Sequence, residues 1–276
     1  MDITPPLRFG YADSPFGQLH YAEQGAGRPL LLLHQTPRSW DEFRELIPLL
    51  APHRRVIAMD MVGFGASAKA PAPHTIELFA AGALALLDAL GIEYADVLGH
   101  HTGGVVAVEL AASAPERVGL LVLSSTPWTD SRFRRSHADG PGVDEAAHAP
   151  GGDHLLTLWR LRQPYYPDPA TSLLDRFVHD ALAPGVDPAE GHRACARYYM
   201  EDKIGSVKTS VLLLGAAADP FALPAMAPLR ENLTGAPSVT SAVVDGGMIP
   251  LMEHKAAEVA EIVTMFLTES PIESAL

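Results

Sequence analysis

Short apolar runs alternate along most of the chain with longer segments in which apolar residues recur at helical spacing. The run at residues 30–33 is continuous, as expected of a strand that is buried on both faces of a sheet. Residues 40–50 have apolar residues at helical spacing, and residues 76–90 place their apolar side chains on one helical stripe. The alternation continues to residues 118–123 and resumes at residues 210–267. It predicts an α/β fold with a parallel sheet, right-handed crossovers and helices on both faces.

Two interruptions of this alternation indicate the domain organisation. Residues 7–11 and 18–23 are short extended segments on either side of a Pro-Phe-Gly turn, which predicts an antiparallel hairpin. The rhythm is lost at residues 129–206, where short helical pieces rich in aromatic residues replace it. We therefore predict a first core half at 1–128, an inserted helical cap at 129–206 and a second core half at 207–276.

Composition and charge restrict the kinds of partner that the protein is expected to bind. The chain has 276 residues, of which 47% are hydrophobic, so it is long enough to bury a large core. Its formal net charge of -13 repels phosphate backbones and anionic lipid. The longest apolar stretches are too short to span a membrane. We expect a small-molecule substrate or ligand as the partner, with no nucleic acid and no membrane, and we leave a homodimer open.

The single cysteine and the start of the chain bear on location. Cys195 has no second cysteine to pair with, and the start Met-Asp-Ile-Thr-Pro-Pro lacks a basic segment followed by an apolar run. We therefore expect a cytoplasmic protein without a leader. A reactive role for Cys195 is the minor alternative, since a free cysteine is more often a small core residue.

Four polar or glycine-rich segments follow predicted strands and carry a family resemblance. They are His34-Gln35-Thr36-Pro37, Asp60-Met61-Val62-Gly63-Phe64-Gly65-Ala66-Ser67, Gly99-His100-His101-Thr102-Gly103-Gly104 and Gly215-Ala216-Ala217-Ala218-Asp219-Pro220. The third resembles the G-x-S-x-G nucleophile elbow of the α/β-hydrolase superfamily. The others resemble its oxyanion loop, its D-x-x-G-x-G-x-S segment and the loop with the triad acid. The resemblance implies the α/β-hydrolase fold of the capped epoxide hydrolase, dehalogenase and esterase branch, with an eight-stranded, mostly parallel sheet.

Three positions depart from the family pattern, namely His101, Met248 and Gln35. His101 stands where the resemblance implies a serine nucleophile, and we expect it to act as a general base or acid. The alternative is a residue kept for packing in a protein without activity. Met248 stands where the resemblance implies the general-base histidine, and a thioether cannot take a proton. We expect His254 to be a solvated residue at the start of the last helix, unless a rearranged loop returns it to the site.

Asp219 is the one position of the triad that the chain keeps. We predict a dyad in which its carboxylate raises the basicity of His101. The resemblance implies that the backbone N–H groups of Thr36 and Thr102 are the oxyanion donors. Gln35, where the family has Gly, offers an amide that either binds a carbonyl or carboxylate group or bonds to nearby backbone.

The remaining candidates concern the pocket. We expect His34, Trp128 and Met248 to line it, under a cap whose aromatic residues are mostly cap core, namely Trp159, Tyr165, Tyr166, Phe177, Tyr198 and Tyr199. A metal held by His34, His100 and His101 together with Asp219 is a minor alternative, because neighbours on a tight turn point in different directions. We therefore expect no metal and no cofactor.

These residues predict an enzyme that works without a serine intermediate on a small, largely apolar carbonyl-type substrate. Water-activated hydrolysis, C–C or C–O cleavage and deprotonation next to a carbonyl are all open to an imidazole base, so the activity is hydrolase-like or lyase-like. The alternative is a ligand-binding pseudohydrolase without catalysis.

Overall fold

Eight strands form a single sheet in the computed structural model, which describes residues 5–137 and 143–269. They are β1 (Arg8–Ser14), β2 (Gly17–Gln24), β3 (Pro29–Leu33), β4 (Arg55–Met59), β5 (Ala95–His100), β6 (Val118–Ser124), β7 (Val211–Ala216) and β8 (Val239–Val244). Their order across the sheet is β1-β2-β4-β3-β5-β6-β7-β8. β2 is antiparallel to β1 and β4, and the other neighbours are parallel. The predicted hairpin and the mostly parallel sheet are confirmed.

Helices cover both faces of the sheet. The described helices are α1 (Ile47–Leu50), α2 (Ile76–Ala89), α3 (Thr102–Ser113), α4 (Ser131–His137), α5 (Asp153–Arg162), α6 (Thr171–Ala181), α7 (Glu190–Arg197), α8 (Met226–Asn232), α9 (Leu251–His254) and α10 (Ala256–Glu269). Leu31 and Leu33 of β3 face the cluster built with α2 and α3, whereas Leu30 and Leu32 face α1 and α10. Successive residues of a strand point to opposite faces, so a continuous apolar run serves both.

The helices α4 to α7 all lie between β6 and β7, and we call them with their connecting segments the cap. The cap has a small apolar cluster of its own, formed by Leu158, Tyr166, Leu174, Phe177 and Ala181 together with Ile249 of the loop after β8. The last member shows that the cap packs directly on the loop that carries Met248. The boundaries predicted at residues 129 and 206 stay a prediction.

Residues 40–50 differ from the single helix that their spacing suggests. A 3-10 turn occupies Trp40–Phe43, and α1 begins only at Ile47. The hydroxyl of Ser39 caps the turn by accepting the N–H of Asp41, and Pro48 stands in the first turn of α1, where its missing N–H costs nothing. A 3-10 turn and a short α-helix therefore replace one continuous helix.

Some expectations fall on residues that the structure does not describe. The first four residues, part of the start that indicated no leader, are among them, and so are residues 138–142 of the predicted cap and residues 270–276 of the second core half. Among the described residues, no helix is both long and apolar enough to cross a bilayer.

Arg38 is fully buried and joins the cap to the core. Its Nε donates to Asp180 of α6 at 2.9 Å, and its Nη1 donates to Glu253 of α9 at 2.9 Å. Burial acts to lower the pKa of Arg38, but the carboxylates of Glu253 and Asp180 outweigh it and raise the pKa well above its usual value. Breaking a buried ion pair costs roughly 3–5 kcal/mol, because a charge is left uncompensated. The pair therefore fixes α6 beside the loop of residues 34–37.

Glu253 makes the stability of this junction depend on pH. Burial raises the pKa of Glu253 to about 7, against the opposing effect of Arg38, whereas its ordinary value is 4.5. Between these values the folded protein holds a proton that the unfolded chain has released, so stability falls as the pH rises through this window. We expect Glu253→Gln to make this fall smaller by up to roughly 3 kcal/mol of unfolding free energy. Glu42, whose pKa burial also raises to about 7, keeps its own share of the fall.

Urea unfolding at a series of pH values between about 5 and about 8 measures this effect. Glu258→Gln is the matched control: its carboxylate lies on α10 in an exposed pair with Lys255, so the native profile should persist in this range. Parallel profiles for Glu253→Gln and the native chain would contradict the prediction.

Candidate active site

The turn between β5 and α3 holds His101 in a backbone conformation that side chains rarely adopt, with φ 47° and ψ -115°. Close packing enforces this turn. A side chain at Gly103 would overlap the carbonyl of Leu33, and one at Gly99 would overlap Gly103. The N–H of His101 donates to the carbonyl of Ser124 at 2.9 Å. The turn thus presents the imidazole at the carboxyl edge of the sheet, with a strain of roughly 1–3 kcal/mol that is typical of functional sites.

Asp219 lies against the imidazole. Its Oδ2 is 3.0 Å from Nε2 of His101, although it lies off the direction of the ring N–H, so the contact is not an aligned hydrogen bond. Its Oδ1 accepts the N–H groups of Phe221 and Ala222 at 3.0 and 3.1 Å. Burial acts to raise the pKa of Asp219, but His101 and these two donors outweigh it and lower the pKa to about 2. Asp219 is therefore ionised at neutral pH.

The other ring nitrogen of His101, Nδ1, has no partner among the described residues, and 15% of the side chain is exposed. A carboxylate attracts the donor form of the nitrogen that faces it, so the neutral ring carries its proton on Nε2. Nδ1 then has a free lone pair on the exposed side. This arrangement suits a general base whose conjugate acid is stabilised by Asp219.

Thr36 and Thr102 lie side by side, both buried, with their hydroxyl oxygens 3.0 Å apart. Neither backbone N–H donates to an acceptor in the part of the chain that the structure describes. The thiol of Cys195 in α7 donates to Thr102 Oγ1 at 3.8 Å, and burial raises the pKa of this thiol to about 12. Cys195 thus stays protonated at neutral pH, which argues against the reactive alternative.

Gln35 and His34 are both committed to contacts within the protein. Gln35 donates from its backbone N–H and its side-chain amide to the carboxylate of Glu42, at 2.8 and 2.5 Å. His34 is fully buried, with Nδ1 donating to the carbonyl of Gln35 at 2.7 Å and Nε2 accepting from the N–H of Met61 at 2.9 Å. Gln35 is therefore bonded to a carboxylate, not to the nearby backbone that we considered, and its role toward a ligand stays a prediction.

His254 does not lie where the sequence suggests. It ends the short helix α9 and is half-buried, and its Nε2 accepts the N–H of Met248 at 3.0 Å. The expectation of a solvated residue at the start of the last helix is wrong, because the chain folds back between the two residues. The lone pair on Nε2 of His254 is therefore occupied by a backbone N–H, so His254 does not supply a base that faces Asp219.

His100 fixes the same loop from the side of the sheet. Its Nε2 donates to the carbonyl of Ile249 at 3.0 Å, and its Nδ1 lies 3.1 Å from the hydroxyl of Ser124. Burial, the largest cause, lowers the pKa of His100 to about 3. A neutral ring with both nitrogens satisfied is a structural residue, as its expected packing position implies.

Sequence reasoning missed Ser125, which follows β6. Its backbone has a φ of 43°, and its hydroxyl is buried without a partner among the described residues. Its N–H donates to the carbonyl of Leu214, so Ser125 lies between the ends of β5 and β7, the two strands that lead to His101 and Asp219. A serine directly after an apolar strand between two site-bearing strands was the available signal.

The four histidine and aspartate side chains of the metal alternative do not converge, since His34 and His100 are bonded as described above. More generally, the residues at 5–137 and 143–269 contain no group of three or more His, Cys, Asp or Glu side chains arranged to hold a metal ion.

Residues 28–179 match the sequence profile described as "alpha/beta hydrolase fold". The chain belongs to the alpha/beta hydrolase fold family. This match covers more than half of the sequence, from β3 into α6 of the cap. The expected family and fold are thereby confirmed.

Curated relatives match over shorter stretches. The chain is 44% identical over 105 residues to "2-hydroxymuconate semialdehyde hydrolase" of Pseudomonas sp. (strain CF600), which covers 37% of each protein. It is 36% identical over 129 residues to "Bifunctional epoxide hydrolase 2" of Sus scrofa, which covers 45% of this chain and 23% of that one. These alignments span well under half of the relatives' own lengths.

Solved structures of the family match over nearly the whole chain. The enol-lactonase from Burkholderia xenovorans LB400 superposes with a TM-score of 0.79 at 20% identity, over 94% of this chain and 100% of that one. An epoxide hydrolase from an endophytic Streptomyces gives a TM-score of 0.75 at 24% identity, over 95% of each chain. At this identity the similarity demonstrates the α/β-hydrolase fold alone.

The cavities described beside the cap lie away from the imidazole. Two cavities of about 540 and 450 Å³ adjoin the cap, and neither is lined by His101 or Asp219. The larger one lies between the turn after β4 and the end of α6. Above Thr36 the cap packs directly, because a side chain added at Gly191 of α7 would overlap Thr36. Trp128 is partly buried and packs against the larger core cluster.

The cap aromatics divide between packing and the surface. Tyr166 and Phe177 pack inside the apolar cluster of the cap. Tyr198 packs into the larger core cluster and donates its hydroxyl to Glu109 at 2.8 Å. Tyr199 is exposed beneath the guanidinium of Arg134. For these four residues the expectation that most cap aromatics serve packing agrees with their positions.

The contact between Gly191 and Thr36 can be tested by substitution. We expect Gly191→Ala to lower the unfolding free energy by about 1–3 kcal/mol, because overpacking forces α7 or Thr36 to shift. Urea unfolding measures the loss, and the backbone amide NMR signals of Thr36 and Thr102 should move. Gly151→Ala in the same cap is the control, because its methyl group would meet only Asp153 Oδ2, at an ordinary contact distance of 3.7 Å. Equal effects of both substitutions would show that α7 does not press on Thr36.

Proposed function

We propose that this chain is a hydrolase or lyase of small carbonyl compounds in which the imidazole of His101, paired with Asp219, replaces a serine nucleophile. The observation that carries the proposal is the 3.0 Å contact between His101 Nε2 and Asp219 Oδ2 at a strained turn. A buried carboxylate, a free Nδ1 and two unpaired backbone N–H groups beside them are the parts that base catalysis at a carbonyl requires.

In hydrolysis, Nδ1 of His101 takes a proton from a water molecule as its oxygen attacks the substrate carbonyl. The new imidazolium is stabilised by ionised Asp219, and the negative charge on the former carbonyl oxygen is held by the N–H groups of Thr36 and Thr102. The tetrahedral intermediate then collapses, the bond to the leaving group breaks, and Nδ1 returns the proton to that group. The products are a carboxylic acid and the protonated leaving group.

The same base accounts for the lyase alternative. Nδ1 removes a proton from the carbon next to a carbonyl, and the two N–H donors stabilise the enolate oxygen that forms. Names of relatives support small oxygenated substrates, since they include a 2-hydroxymuconate semialdehyde hydrolase, a 2-hydroxy-6-oxo-2,4-heptadienoate hydrolase and epoxide hydrolases. We therefore propose enol esters, enol lactones and oxo-dienoates as the first substrate classes to test.

A ligand-binding protein without catalysis is the second candidate. It is favoured by one observation: neither of the two described cavities is lined by His101 or Asp219. Under this alternative, Met248 at the position implied for a histidine is the sign of lost activity.

Turnover of the three substrate classes by the native protein and by His101→Ala decides between the candidates. We expect His101→Ala to lose about 10²- to 10⁴-fold in kcat/KM, the usual contribution of a general base. Asp219→Asn should lose activity as well, because the imidazolium loses its counter-ion. His53→Ala, an exposed histidine far along the sequence from the site, is the control and should keep native activity.

A covalent probe adds an independent measurement. A fluorophosphonate should leave the protein unlabelled, because the proposal contains no serine nucleophile. Labelling would contradict it. Absence of turnover in native protein and His101→Ala alike, with ligand binding intact, would favour the second candidate.

A further inference from the structure

Three buried side chains beside the turn form a chain of hydrogen-bonding groups. The thiol of Cys195 donates to Thr102 Oγ1 at 3.8 Å, and Thr102 Oγ1 lies 3.0 Å from Thr36 Oγ1. Thr36 has no exposed surface, and Thr102 and Cys195 each retain 2%. The three groups belong to the loop after β3, the start of α3 and α7 of the cap, so the core and the cap meet here.

The order of donors along this chain follows from the thiol. Burial keeps Cys195 protonated, since it raises the pKa of the thiol to about 12. Either hydroxyl of the Thr102–Thr36 pair can be the donor. Because Thr102 Oγ1 already accepts from the thiol, a bond from the Thr102 hydroxyl to Thr36 Oγ1 gives each of the two oxygens one bond to accept, and this is the order that the inference takes. The hydroxyl proton of Thr36 then has no acceptor among the described residues.

A buried hydroxyl whose proton lacks an acceptor is uncommon, because burial removes its hydrogen bond to water and no protein group replaces that bond. Thr36 also carries a backbone N–H that lacks an acceptor among the described residues, and Thr102 carries another. Thr36 therefore has two donors without an acceptor, its hydroxyl and its backbone N–H, at the place where the proposed function needs an oxyanion site.

We propose that the Cys195–Thr102–Thr36 chain turns the hydroxyl of Thr36 into a third donor for a bound anionic oxygen, which selects small carboxylates and enolates as ligands. The inference rests on the proposed function, because it deepens the oxyanion site of that function. Thr36 contacts the ligand, while Cys195 and the Thr102 hydroxyl are positioning groups that fix the direction of its proton. Three donors suit a ligand with charge spread over one or two oxygen atoms better than a neutral carbonyl.

Infrared spectroscopy tests the first bond of the chain, from the thiol of Cys195 to Thr102 Oγ1, without any ligand. Cys195 is the only cysteine, so the protein has a single S–H stretching band. We expect Thr102→Val to move this band to the higher frequency of a free thiol, and Thr36→Val to leave it near its native position. A band that Thr102→Val leaves unchanged would overturn the chain.

Titration with acetate, followed by the amide NMR signals of Thr36 and Thr102, tests the third donor. We expect Thr36→Val to weaken acetate binding about 10-fold or more, because it removes one hydrogen bond to a charged group and keeps the N–H. Thr36→Ser, which keeps the hydroxyl, should bind nearly as well as the native protein. Thr209→Val is the control, since its hydroxyl bonds to Gly119 at the opposite edge of the sheet.

The outcomes separate this inference from the proposed function. Native affinity in Thr36→Val would overturn the third donor and leave the oxyanion site of the proposed function standing. Native protein that binds no acetate at these two amides would contradict that oxyanion site, and the third donor with it.

Discussion

The approach of Gly103 to the carbonyl of Leu33 is the constraint on which the geometry of the site depends. Only a hydrogen atom fits between them, so α3 begins close against the end of β3 and the chain must turn sharply at His101. The same approach brings Thr102 beside Thr36. This one backbone contact therefore fixes the positions of the imidazole, of two unpaired N–H groups and of two hydroxyls. A frame fixed by backbone packing accepts different side chains at its apex, which is how one fold carries different chemistries.

The fold could be predicted because its signals are local. Continuous apolar runs marked the buried strands, helical stripes marked α2 and α10, and glycines marked the turn at residues 99–104. The prediction failed at residues 40–50, where apolar spacing suggested one helix. There the hydroxyl of Ser39 and the ring of Pro48 start two short turns, and these local caps outweigh a periodicity of only three turns.

The partners of polar side chains could not be predicted, since they depend on distances between loops that are far apart in sequence. Gln35 is bonded to Glu42, which lies in the 3-10 turn at Trp40–Phe43 where the spacing predicted the start of one continuous helix. His254 folds back onto the N–H of Met248 because α9 ends before α10 begins. The pairing of His101 with Asp219 was accessible to reasoning because parallel strands deliver both residues to one edge of the sheet.

The cap restricts what can reach this edge. α6 is held by the buried pair between Asp180 and Arg38, and α7 is held by Glu190, whose carboxylate accepts the N–H of His74 at 2.8 Å. Both helices that flank Thr36 are thus tied to the core by buried polar contacts, and separating either pair costs more than a small ligand group recovers. Under the proposed function we therefore expect a ligand to place only a few atoms at Thr36, such as one carboxylate or carbonyl group, and its remainder along the exposed side of His101.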